Sequence, residues 1–147
     1  MSQTRTNARK AAVQALYQWQ MTGQSIIEIE RQFLEDERLK DVQKSYFTEL
    51  FHGVSKNLVV LDETLNEFVD RPVDMIDPVE RAILRIGAYE LLHRLDMPYK
   101  VILNESINLA KYFGADGSHK YVNGILDKIA QNIRAVEIKA KAQASKC

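Results

Sequence analysis

Pro98-Tyr99-Lys100-Val101, Asn104-Glu105, Leu109-Ala110-Lys111 and Phe113-Gly114, followed by Ser118-His119-Lys120-Tyr121-Val122-Asn123-Gly124-Ile125-Leu126-Asp127, decide how this chain folds. The stretch reads as a helix from about Tyr99 to Phe113 closed by a glycine, a short polar loop, and a second helix from Ser118 into the mid-130s. The second helix opens with a hydroxyl, an imidazole, an ammonium and an aromatic ring. A helix start offers unpaired N–H groups and partial positive charge, to which anions are drawn. With Lys120 and the ring of Tyr121 beside it, such a start suits a phosphate and a stacked base. The same residues also describe a plain helix start, with Ser118 as its cap and Tyr121 packed inward.

Working outward, helical periodicity continues along the chain. Ala12, Val13, Leu16 and Tyr17 mark an amphipathic helix from about Thr6 to Met21, stopped by Gly23. Ser25-x-x-Glu28 is a capping box that opens a short helix carrying Ile26, Ile29 and Phe33. Asp41 is expected to cap a long run in which Phe47, Leu50, Val54, Leu58, Leu61, Leu65 and Phe68 recur every three or four residues. That run is long enough for two helices broken near Lys56 or Asn57, and Arg71-Pro72 ends it. Asp77-Pro78-Val79-Glu80 is a further strong start, and the helix it opens is apolar around much of its circumference, the mark of a central element. No strand-like alternation is present. The expected architecture is all-α, about seven helices in a single domain over residues 1–135, with sub-bundles of about 1–56 and 57–135. Residues 136–147, rich in Lys, Ala and Gln, are expected to fray.

With 46% hydrophobic and 27% charged residues the chain has the composition of an ordinary soluble globular domain. No apolar run is long enough for a membrane span, and the basic, polar start does not read as a secretory signal. The single cysteine, Cys147, allows no intramolecular disulfide, and His52, His93 and His119 have no metal-ligand spacing. A cytoplasmic protein without metal or cofactor is expected. Net charge is zero but uneven: +3 over residues 1–20, −7 over 21–119 and +4 over 120–147. If the two ends pack together they form a basic face on a neutral protein; otherwise they are solvated tails.

Four blocks, taken in order, resemble one family. They are Ala12–Tyr17, then Val79-Glu80-Arg81-Ala82-Ile83-Leu84-Arg85-Ile86 with Tyr89-Glu90-Leu91, and the two C-terminal stretches quoted first. Over about residues 5–135 the chain resembles the NusB family of bacterial transcription antitermination factors. The resemblance implies two helical bundles packed across each other, helices one to three and four to seven. It implies binding to the boxA element of nascent RNA together with a small-subunit ribosomal protein acting as NusE. The pair would join the elongating RNA polymerase complex with other Nus factors and support ribosomal RNA transcription.

The resemblance also implies residue roles. RNA would lie along a basic N-terminal arm, here Arg5 and Arg9, and along the start of the last helix, here Asp116, Gly117, Ser118, His119, Lys120 and Tyr121. Thr6 departs from the pattern, standing where several relatives place another arginine. Tyr121, usually Phe in the family, is the stacking candidate. Phe68 is a second one, with core packing at the end of its helix as the alternative. Glu80 suits either a helix-start carboxylate or an acceptor for base amino groups. Gly117, where a relative carries an acid, leaves the backbone N–H groups open; an acid there would repel phosphate while favouring the helix start. The partner protein would dock around helices four to six, with Arg85, Tyr89 and Tyr99 as anchors or as intramolecular contacts.

Two rival readings come from other classes. The C-terminal half also resembles the non-catalytic RNA-binding domain of bacterial ribosomal RNA cytosine methyltransferases. The sequence offers no nucleophile–base pair or phosphate loop, and the chain stops at Cys147 without room for their cofactor domain, so no enzyme is expected. The other rival is a protein-interaction module that does not touch RNA. The free protein is expected to be a monomer or a homodimer.

Overall fold

The computed structural model describes residues 2–37, 39–114 and 117–146. Among these residues eight α-helices follow one another: α1 (Ser2–Thr22), α2 (Ile26–Leu34), α3 (Asp41–Lys56), α4 (Leu58–Asn66), α5 (Pro78–His93), α6 (Tyr99–Phe113), α7 (Ser118–Ile133) and α8 (Ala135–Lys146). A 3₁₀ turn, Val73–Met75, precedes α5, and no strand occurs among the described residues.

Local chemistry sets most of these boundaries. The Ser25 hydroxyl accepts from the N–H of Glu28, and Asp77 accepts from the N–H groups of Val79 and Glu80 with Pro78 at the first helical position. Asn57 leaves helical geometry (φ −111°, ψ 23°) and separates α3 from α4, its side-chain amide donating to the carbonyl of Gly53. At α3 the cap is Lys40 rather than Asp41, which is the first helical residue; the Lys40 N–H donates to the Gln43 side chain at 2.8 Å.

Within the first three helices, α2 and α3 share an aromatic spine, Phe33 on Phe47 and Phe47 on Phe51, with ring centroids 5.4 and 5.7 Å apart. The second group, α4 to α7, is arranged around α5, which packs on α1 and α3 as well as on α4, α6 and α7. Its residues Ala82 to Ala88 are all buried, as an apolar circumference requires. Gly87 permits the close approach of α7: a Cβ there would stand 2.6 Å from Leu126 Cδ1.

A buried polar knot joins the two groups. Glu90 on α5 is fully buried and pairs with Arg9 on α1, whose Nε donates to both carboxylate oxygens at 3.2 and 3.0 Å. The hydroxyl of Tyr46 on α3 donates to the same carboxylate, and Glu105 on α6 lies 3.7 Å from the Arg9 guanidinium. Burial pushes the Tyr46 phenol up, and the neighbouring Glu90 carboxylate adds to it. Arg9 is 2% exposed, so it has no free face for a phosphate. The expected phosphate contact is therefore corrected: desolvating an arginine is tolerable only with an acid beside it, and Glu90 is that acid.

The expected frayed tail is also corrected. Residues 135–146 form α8. Arg134, itself buried, donates to the carbonyls of Glu90, Leu91, Arg94 and Met97 and so caps the end of α5. It also pairs with Glu137 at 2.6 Å, while Glu137 accepts from the N–H of Tyr99 at the start of α6. Ile138 packs on the core. Helix α8 is thus anchored by its first turn, and Ala, Lys and Gln sustain the helix beyond it. It packs on α7, and among the described residues it makes no helix–helix contact with α1.

Candidate nucleic-acid interface

The starts of α5 and α7 lie side by side. Gly117 is the N-cap of α7 with φ +84°, a left-handed backbone that favours glycine, and among the described residues no side chain caps this helix. Ser118 was a cap candidate, but its buried hydroxyl instead donates to Glu80 Oε2 at 2.7 Å. Glu80 is therefore half-buried and tied to α7 rather than a simple helix-start acid. Glycine at the N-cap brings no side chain of its own to the first N–H groups of α7, which suit a ligand. Lys120 is exposed beside them and His119 is half-buried. Asp116 lies outside the described residues.

Tyr121 projects from the first turn of α7, half-buried, one side packed on the core. Its hydroxyl donates to Asp70 Oδ1 at 3.2 Å, and the guanidinium of Arg71 lies over the ring, 5.3 Å from its centroid. Arg71 in turn grips Asp70 with two bonds of 2.9 and 3.1 Å, which hold the Asp70 carboxyl below its ordinary value. Burial raises the Tyr121 phenol. Two exposed residues between α4 and α5 thus complete a site whose other half is 50 residues away. Phe68, two residues before Asp70, is half-buried and packs on the core, in line with its packing alternative.

A groove continues from this corner. A cleft of about 180 Å³ is lined by Asp77, Glu80, Gly114, Val79 and Phe113. The last two are shared with a more apolar cleft of about 210 Å³ that reaches Val13, Gln14 and Tyr17 on α1. Tyr17 is 40% exposed there. Farther along α1, the Lys10 ammonium sits 4.0 Å from the centroid of the Tyr112 ring. The groove therefore carries aromatic rings at both ends, with a cation at its α1 end and, beside the Tyr121 corner, the open start of α7. Arg5, half-buried, lies with its guanidinium 5.5 Å from the centroid of the Tyr46 ring. It belongs to the α1 helix rather than to an extended arm.

The residues expected to anchor a protein partner are engaged within the chain. Arg85 is buried, bidentate to Asp62 at 2.9 and 2.8 Å, and bonded to Gln20. Tyr99 is buried at the start of α6. Tyr89 packs at a tilt against His93, reaches Glu49 with its hydroxyl at 3.4 Å, and fills the space above Gly53. Arg85 and Tyr99 thus follow the intramolecular alternative, closing helix–helix gaps, while Tyr89 keeps partial exposure. Arg71, Tyr17 and Lys10 were missed as site residues. Tyr17 did carry a signal, since it stands at the edge of an apolar stripe where a ring is half outside.

Comparison with known proteins gives the family. The NusB family profile matches residues 6–131. The transcription antitermination protein NusB of Nitrosococcus oceani is 52% identical over 142 residues, covering 97% of this chain and 95% of that one. That of a Marinomonas species is 51% identical, covering 99% and 84%. Among solved structures, T. maritima NusB superposes with a TM-score of 0.78 at 30% identity, covering 87% and 91%. A crystal structure described as antitermination factors NusB and NusE in complex with dsRNA shares the fold, with a TM-score of 0.81 at 24% identity over 89% of this chain and 98% of that one. The chain belongs to the NusB family of transcription antitermination proteins.

Proposed function

We propose that the protein binds boxA-containing RNA at the paired starts of α5 and α7, together with the small-subunit ribosomal protein that acts as NusE. The pair joins the elongating RNA polymerase complex with other Nus factors and supports ribosomal RNA transcription in the cytoplasm. The observation that carries this reading is the half-exposed ring of Tyr121 on the first turn of a helix whose N-cap is a glycine, flanked by Lys120 and Arg71. Orphan N–H groups and cations take phosphate, and the ring takes a base. Glu80, locked to Ser118, presents a carboxylate where a base amino group can donate. The role is binding, not catalysis: chemistry of this kind positions a strand without acting on it.

The test is equilibrium binding of a short boxA RNA and of a scrambled RNA at two salt concentrations, with and without the ribosomal protein. Tighter binding of boxA, weakened by salt and strengthened by the partner, is the expected outcome. Equal binding of both RNAs under every condition, or none, would remove the reading.

A further inference from the structure

Arg71 occupies the place a base would take. Tyr121 is half-buried and packs in part on the core, and the Arg71 guanidinium covers the ring 5.3 Å from its centroid, on a face that a stacked base would use. A base between the two would need about 3.5 Å of van der Waals clearance on each side, about 7 Å in all. The observed gap is too small for a three-layer sandwich. Arg71 does not rest there by chance: Asp70 holds it with two bonds and accepts the Tyr121 hydroxyl as well, so one carboxylate fixes both the ring and its cover. Both members of the cover face solvent, with Arg71 46% and Asp70 65% exposed, so the cover can move without opening the core.

We infer that Arg71 is a displaceable latch on the stacking face of Tyr121: clamped by Asp70 in the free protein, it gives way to an incoming base and pairs with the adjoining phosphate instead. This inference rests on the stacking role proposed above for Tyr121. The exchange has a reason in charge. Asp70 neutralises Arg71 in the free state, which leaves the site with less positive charge than its sequence suggests. Once displaced, the guanidinium has a phosphate in reach, with which it can form the same bidentate bonds. A strand that offers phosphate but no base to stack leaves the latch closed. The device therefore selects single-stranded RNA with an unstacked base over a plain polyanion. Arg71 acts here as a positioning residue in the free protein and as a phosphate contact in the complex.

Binding of a short boxA RNA across a salt series tests this with wild type, Arg71→Ala, Asp70→Asn, the Asp70→Asn/Arg71→Ala double variant and Tyr121→Ala. Arg71→Ala is expected to flatten the salt slope by about 0.7, the value for one contact to a single strand. It also uncovers the ring, so its line crosses that of wild type, weaker at low salt and equal or tighter at high salt. Asp70→Asn is expected to tighten binding about threefold to tenfold by raising the fraction of protein with the latch open. That gain should vanish in the double variant, since there is no longer an arginine to release. A gain that persists there would come from the lost acid alone and would overturn the latch.

The Arg71 Nε–H resonance supplies a readout that a merely structural pair would not move. In free protein it is expected to carry a ring-current shift that Tyr121→Leu removes, and RNA should remove the same shift in wild type. A signal unshifted in free protein, or unmoved by saturating RNA, would sink the latch whatever the affinities. Failure of the underlying reading looks different: Tyr121→Ala then leaves RNA affinity intact. If Tyr121→Ala weakens binding while Arg71→Ala and Asp70→Asn change neither affinity nor slope, stacking stands and the latch falls.

Discussion

The same three side-chain types are assembled twice in this molecule. At the junction of the bundles, Arg9 grips Glu90 with two bonds, Tyr46 donates its hydroxyl to Glu90, and the Arg9 guanidinium lies 5.6 Å from the centroid of the Tyr46 ring. At the start of α7, Arg71 grips Asp70 with two bonds, Tyr121 donates its hydroxyl to Asp70, and Arg71 lies 5.3 Å from the centroid of the Tyr121 ring. The bonding pattern matches; the burial does not. Glu90 and Arg9 are sealed from water, whereas Asp70 and Arg71 are open to it. In the first trio each member removes a desolvation cost that the others could not bear alone, so the assembly cannot be taken apart without unfolding. In the second, water and phosphate can replace every bond. Burial, more than bonding pattern, separates a structural joint from a binding site.

The largest effect should come from breaking the buried copy. Glu90→Ala leaves Arg9 charged and Tyr46 without its acceptor in a sealed space, and is expected to cost about 3–5 kcal/mol of stability, measured by urea unfolding. Arg9→Ala should be destabilising on the same scale. Its folded fraction should keep the wild-type salt slope for RNA, because the side chain is not in the interface. A flattened slope would restore Arg9 to the RNA contact that its place in the basic N-terminal segment suggests.

The exposed copy should answer in affinity instead. Tyr121→Ala is expected to weaken boxA binding by about 1–3 kcal/mol. Its unfolding free energy should fall by about 1 kcal/mol, since half of the ring is already in water. The reverse pattern, stability lost and affinity kept, would make the two trios alike and Tyr121 a core residue.

The contrast between the trios also explains what could be read from the chain beforehand. Helix starts at Ser25 and Asp77, the break at Asn57 and the central rank of α5 rest on caps and periodicity within a few residues, and these were legible. Arg9 was misplaced because its partner, Glu90, is 81 residues away. A local clue existed even so: Arg9 stands three, four and seven residues before Ala12, Val13 and Leu16, on the apolar face. Helix α8 gave no such clue, because its anchor is Glu137 reaching the N–H of Tyr99 rather than an apolar stripe. The Ser118–Tyr121 block was recognisable as a candidate site, but the cover that Asp70 and Arg71 place on it is a tertiary contact with no trace in spacing.

A substitution beside the exposed trio sharpens the comparison at lower amplitude. Gly117→Asp puts a carboxylate next to the open N–H groups of α7 and should weaken boxA binding by about 1 kcal/mol at low salt, and less at high salt. An acid at a helix start contributes about 0.3–1 kcal/mol, but φ at Gly117 is +84°, where an L-residue costs about 1–2 kcal/mol. The fold should therefore lose about 1 kcal/mol rather than gain, which corrects the benefit expected from the helix start alone. Equal affinities at low salt would move the RNA away from this loop.

The smallest effect belongs to Glu137, intermediate between the trios in both burial and role. Burial alone would raise its carboxyl, but the N–H of Tyr99 and the Arg134 guanidinium outweigh it and hold the group below its ordinary value of 4.5. The ionised form is thus favoured by folding. Its contribution is complete above the ordinary value and is lost as pH falls through the depressed one. Glu137→Gln should cost about 0.5 kcal/mol at neutral pH, the scale of a solvent-screened pair, and the gap from wild type should close on acidification below about 4.5. Parallel stability curves across that range would mean that the carboxylate charge does nothing for the joint between α6 and α8. The first turn of α8 would then be held by Ile138 and the Arg134 caps alone, with RNA binding at the far end of α7 unchanged in either case.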